Sequence, residues 1–339
     1  MIVRKQKSTI PHALSGFTLL ELLLVVVILS AVAFMAMSTV GNNMSQVRYE
    51  DTRNRLNAIR TAILGPSSPE LWAKGYISGY IADNGRLPGD INALVQMPTD
   101  YDSFQAVTPI YKEGQTGEIT LPTSFQMIKG HRGSYLSGAI DDIIRDGWGT
   151  SGTADFATNH GWDVTATATT FQVNSFGMDG QPNQLTGDPY EEDVAMSPSI
   201  FAEDWQVDVS GASVRVINRT SVNINLGSAV SFTAALLVYQ NDTTSSWQTV
   251  ETLTTDVTSL DNGNGLDNAS AAWGESQDFV VTFPTGSTNI PVGEHLLVLV
   301  AGNDPDLRNN GIGTSPNYVT TRVKFYPRGG VPDMVLEIR

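Results

Sequence analysis

The sequence predicts an α+β chain in three parts. A long N-terminal membrane-spanning helix packs on a small head built around an antiparallel sheet, and an all-β C-terminal domain of immunoglobulin-like sandwich type follows. Three observations predict it. Leu22 to Val47 carries no charged residue, and Leu22 to Met37 is almost continuously apolar, enough at the helical rise to cross a bilayer core. Helical spacing then gives way to turn-rich segments. From about residue 200 the composition shifts to Thr, Ser, Val and Asn in alternating runs, the pattern of half-buried strands.

The helix is expected over residues 17–64, with its transmembrane part at about 17–40. Arg4, Lys5 and Lys7 precede it, and a basic flank stays cytoplasmic, so the bulk of the chain is expected in the periplasm, anchored by a single pass in a bacterial inner membrane. Beyond the apolar run, Val47, Leu56, Ile59 and Ile63 keep helical spacing among charged residues, which makes the second half an amphipathic rod. Gly65-Pro66 ends it. A second helix is expected over Pro69–Asp83, with Leu71, Trp72, Tyr76, Ile77, Tyr80 and Ile81 as its core face. The head is expected over 65–197 and the β domain over 198–339, where alternating stretches include Ser213–Ile217, Val222–Leu226, Val230–Tyr239, Trp247–Leu253, Glu294–Ala301 and Val319–Tyr326. Turn residues separate them at sandwich-like intervals.

Composition removes several function classes. The 339 residues include no cysteine, so there is no disulfide framework, thiol chemistry or cysteine-ligated zinc. The formal charge of −15 argues against a nucleic-acid partner, since phosphate binding draws on clustered Lys and Arg. His12, His131, His160 and His295 show no metal-ligand spacing. No phosphate loop, nucleophile elbow or zincin helix is present, so nothing in the sequence points to an enzyme.

At the N-terminus a Gly-Phe junction precedes the apolar run where a secretory signal would place a small-residue cleavage site after it. Ser15-Gly16-Phe17-Thr18-Leu19-Leu20-Glu21, followed by Leu22-Leu23-Leu24-Val25-Val26, resembles the N-terminal signature of type IV pilins and type II secretion pseudopilins. Further motifs follow in that family's order: Asn84-Gly85-Arg86-Leu87-Pro88, then Asp146-Gly147-Trp148-Gly149, then Ser175-Phe176-Gly177-Met178-Asp179-Gly180. The second differs from the family in carrying Gly147 for a proline. The likeness spans roughly residues 16–195, is nearest to the major pseudopilin, and does not reach the C-terminal half.

The resemblance implies a leader over 1–16, removed after Gly16 by a prepilin peptidase that also methylates the new amine of Phe17. It implies that Glu21, an acid set in an apolar segment, faces the N-terminal amine of a neighbouring subunit and fixes register during assembly. It implies partners in other pilin or pseudopilin subunits, the peptidase and an inner-membrane assembly platform. It also implies a calcium loop, for which the candidate ligands are Asp179, Ser175, the Val173 carbonyl, Asp188 and Asp193. A solvated acidic loop is an equal reading of those residues. The function so implied is that of a structural subunit of a secretion pseudopilus or a type IV pilus. The alternative is a tip-located binding pilin whose C-terminal sandwich recognises a surface, a sugar or a secreted substrate.

Overall fold

Helix α1 (Leu19–Leu64) starts at Thr18, whose extended backbone and side-chain hydroxyl cap the first turn. The computed structural model describes residues 18–66, 68–113, 117–136, 144–149, 159–182, 187, 189–242, 246–260, 279–286 and 288–339, with the backbone alone at 36–43 and 113. The helix stops at Gly65, which donates back to the Thr61 carbonyl. Its second half buries Thr52, Leu56, Ile59 and Ile63, four positions on one face. Val47, expected on that stripe, is instead 68% exposed.

Two short helices follow, α2 (Pro69–Ala73) and α3 (Tyr80–Asn84). The single helix expected over Pro69–Asp83 does not form. Gly75 and Gly79 take φ of 75° and 121°, left-handed backbone that breaks a helix and that glycine alone adopts cheaply. Tyr80 and Ile81 are buried as expected, whereas Tyr76 is exposed.

The rest is mostly strand. The N-terminal portion carries β1 (Gln105–Val107), β2 (Ile110–Glu113), β3 (Gly117–Thr120), β4 (Met127–Lys129), β5 (Asp163–Ala166), β6 (Phe171–Ser175) and β7 (Val194–Ala195). These make two hairpin-sized pairs, β1-β4 and β2-β3, and one three-stranded sheet, β5-β6-β7. After α4 (Ala202–Trp205) come β8 (Gln206–Asp208), β9 (Ser213–Asn218), β10 (Ile224–Gln240), β11 (Ser246–Glu251), β12 (Thr255–Leu260), β13 (Phe279–Thr282), β14 (Asn289–Pro291), β15 (Gly293–Ala301), β16 (Thr320–Phe325) and β17 (Met334–Ile338). A five-stranded sheet runs β11-β10-β15-β16 with β12 also on β10, and smaller sheets are β13-β9-β17 and β14-β8.

This corrects the expected fold class in three ways. The head has no single antiparallel sheet but three small separate ones. The C-terminal part is not an immunoglobulin-like sandwich: its sheets are small and open, and β17 runs parallel to β9. And among the described residues no helix is long and apolar enough to cross a membrane. The described side chains of the apolar half of α1 run from Leu19 to Met35 and are interrupted by the Glu21 carboxylate, so the membrane-spanning helix and the single-pass inner-membrane location expected from the sequence are not supported.

Burial explains why β10 and β15 lie at the centre. Phe232, Ala234, Leu236 and Val238 of β10 join Leu297 and Leu299 of β15 against the β13-β9-β17 sheet. The intervening Ala235, Leu237, Tyr239, Leu296, Val298 and Val300 pack against Tyr111, Leu121 and Met127. The central sheet is thus covered on both faces, which two-sided apolar runs require. At about 1.5–3 kcal/mol gross for each large aliphatic side chain, the first layer holds the C-terminal part together and the second joins the N-terminal strands to its central sheet.

Candidate functional site

The first half of α1 stands apart from every core. Leu22 is 61% exposed, Ile28 53%, Val32 57% and Phe34 76%, and these positions point to different sides of the helix. A helix apolar all round is stable when other apolar surface surrounds it. At its tip Glu21 closes a capping box with Thr18: the Glu21 N–H donates to Thr18 Oγ1 at 3.3 Å, and the Thr18 N–H donates to Glu21 Oε2 at 3.2 Å. Thr18-x-x-Glu21 was a capping signal in the sequence that the assembly reading passed over. Gly16 and Phe17 lie outside the described residues.

The second half of α1 is gripped by two of the motif segments. Asp146-Gly147-Trp148-Gly149 crosses the helix so closely that a Cβ on Gly147 would lie 2.3 Å from the Arg48 carbonyl oxygen. This is the physical reason for glycine there. The Gly147 N–H donates to Thr52 Oγ1 at 2.9 Å, and Arg55 donates to the Arg145 carbonyl at 2.8 Å. Buried Asp146 accepts from buried Ser175 Oγ at 2.6 Å, which ties this segment to the end of β6. Edge-on aromatic contact between Tyr49 of α1 and Tyr190 extends the clasp.

Four of the five candidate calcium ligands lie among the described residues. The Val173 carbonyl already accepts the Met196 N–H at 2.8 Å. Ser175 Oγ is engaged by Asp146 and by the Gly177 N–H. Asp179 Oδ1 accepts from the Gln181 N–H at 2.9 Å, closing a local turn, and Asp193 sits half-buried just before β7. Asp188 lies outside the described residues. Among the described residues no group of three His, Asp or Glu side chains that could hold a metal ion is found.

A second polar cluster was not anticipated from sequence. The Asn84-Gly85-Arg86 turn docks on β10: Asn241 Nδ2 donates to Asn84 Oδ1 at 2.8 Å and to the Asp102 carbonyl at 2.9 Å, while Asn241 Oδ1 accepts the Asp102 N–H at 2.8 Å. Beside it, buried Asp83 receives Arg132 in a two-point pair at 2.6 and 3.0 Å, and burial still pushes its carboxyl above the usual range. His131 Nε2 donates to the Ala93 carbonyl and Nδ1 accepts the Gly133 N–H, an arrangement suited to the neutral ring, and burial lowers its pKa. Lys129 is 3% exposed and donates to the Ala82 carbonyl at 2.8 Å, and burial draws it down to about 8. Nothing in the spacing of Asp83, Lys129 and Arg132 along the chain foretold their meeting, since a turn, a β-pair and the C-terminal sheet bring them together.

The chain matches no family model, no curated protein and no solved structure.

Proposed function

We propose that the chain is a pilin-like structural subunit that polymerises through the apolar half of α1. The observation that carries it is the exposure of that half on all sides, a continuous apolar surface beside three packed cores, whereas the other exposed apolar residues are scattered. A docking stripe would expose one face. An all-round apolar rod needs neighbours on every side, as at the centre of a filament of like helices. Each leucine so covered contributes about 1.5–3 kcal/mol gross, so a rod of this length drives association strongly.

Glu21 then has two duties. In the lone chain it caps α1, where the positive end of the helix dipole favours an acid. In the filament, where its surroundings become apolar, it needs a counter-charge, and the amine of a neighbouring subunit trimmed to begin at Phe17 supplies one. Glu21→Gln separates the two, because glutamine preserves the capping box and removes the charge. The expected result is normal trimming with reduced recovery of the chain in sheared filaments; recovery equal to the unaltered chain overturns the register role.

A further inference from the structure

We propose that the cavity over Lys129 binds a small organic carboxylate, held through its anionic group by the Lys129 ammonium. This is independent of assembly through α1. The cavity, of about 240 Å³, opens between α3, β4 and β15. Its charged lining consists of Asp83, Glu294, Lys129, Arg132 and Arg322.

The two acids already have partners. Arg132 holds Asp83 in two contacts, and Arg322 Nη1 meets Glu294 at 3.1 Å. Lys129 is the cation left over. Among the described residues no carboxylate stands within 4.0 Å of its Nζ, and its one hydrogen bond is to the Ala82 carbonyl, although an ammonium offers three donors. Asp83 and Glu294 act on it from beyond contact distance, and a buried cation without a contacting counter-charge is costly. Its field reaches His295 as well, whose ring is held neutral by burial first and by Lys129 second.

The backbone favours this placement. At Gly293, φ is 147° and a Cβ would lie 3.2 Å from the Ala82 carbonyl oxygen that receives the lysine and 3.5 Å from Lys129 Nζ, so a side chain there would crowd that carbonyl and touch the lysine. The remaining walls select the ligand. Phe104 and Ile128 line the cavity, and the exposed Ile128 and Arg322 put its mouth in solvent. Apolar walls suit a hydrocarbon body, and two carboxylates nearby disfavour a doubly charged phosphate.

The test uses the full chain and sodium benzoate. Reductive methylation of Lys129 and of exposed Lys74 is followed by mass spectrometry at matched ionic strength with benzoate, inorganic phosphate or chloride. Benzoate is expected to slow Lys129 labelling saturably and on the order of tenfold, the fall in neutral amine when a pKa rises by about one unit, and to leave Lys74 unchanged. Phosphate and chloride are expected to leave both rates unchanged. Lys129 labelling that ignores benzoate, or that falls equally with chloride, overturns the proposal; protection by phosphate alone overturns the carboxylate assignment. Calorimetry on Lys129→Met, whose unbranched side chain keeps the volume of the lysine stem, is expected to show no benzoate binding.

Discussion

Replacing Asn241 by alanine tests whether the N-terminal strands and the C-terminal sheet form one cooperative unit. Asn241 is fully buried and its side chain makes three hydrogen bonds across that junction. Its removal orphans Asn84 Oδ1, itself fully buried, at about 1–3 kcal/mol. It also strips partners from the N–H and C=O of Asp102, which is only half-buried, so water recovers part of each loss and about 0.5–1.5 kcal/mol remains apiece. The expected cost is about 2–6 kcal/mol. Urea unfolding followed by fluorescence reads it, with Trp162 reporting the core under α1 and Trp247 the sheet. Both signals should move together to a lower midpoint. A cost under about 1 kcal/mol, or a head signal that unfolds alone while the sheet signal stays put, would refute the reasoning.

Stability should fall on acidification through His295. Its pKa is lowered to about 3, by burial first, so the unfolded chain binds the proton that the folded chain refuses, and stability is lost as pH drops below the unfolded value near 6.5. Between pH 8 and pH 5 the expected loss from this ring is about 2 kcal/mol; His131, also lowered, adds to it, while Asp83, raised, acts in the opposite sense at lower pH. Urea titrations at those two pH values should show a smaller loss in His295→Gln, and an unchanged loss would contradict the assignment. Gly147→Ala should destabilise by about 1–3 kcal/mol through overpacking against the Arg48 carbonyl, read as a lower thermal midpoint, and an unchanged midpoint would show that the crossing segment moves aside freely.

Much of the local structure was legible. The stop at Gly65-Pro66, the buried stripe Leu56, Ile59 and Ile63, and strands such as Ser213–Asn218 follow from periodicity and breakers. The Gly147 segment meets α1 and the Ser175 segment meets Asp146 in the structure, contacts that the motifs themselves did not foretell. The layer order was less legible. Phe232 to Tyr239 is an unbroken apolar run apart from Thr233, and such runs signal a strand covered on both faces; read as a sandwich strand, it concealed the packing of Tyr111 and Met127 onto it. The Gly75 and Gly79 break also carried a signal, because two glycines four residues apart weaken a helix regardless of its apolar face.

The polar junction was not legible at all. Asp83, the Lys129–Arg132 stretch and Asn241 come from three separate segments, and each alone reads as an ordinary turn or strand-end residue. Their chemistry exists only once the central sheet brings them within hydrogen-bond reach. The membrane reading erred for a related reason: hydropathy describes a segment's preference for an apolar surrounding, and a bundle of like helices supplies that surrounding as well as a bilayer does.

The most direct measurement of the central claim places a photo-cross-linking side chain at Val26, 56% exposed on the apolar half of α1, in the full chain. Assembly through α1 predicts light-dependent adducts at the mass of two subunits, with the second attachment mapping within Leu19–Met35 of the partner copy. Adducts that never contain a second subunit, under conditions where the chain sediments as an assembly, would contradict it.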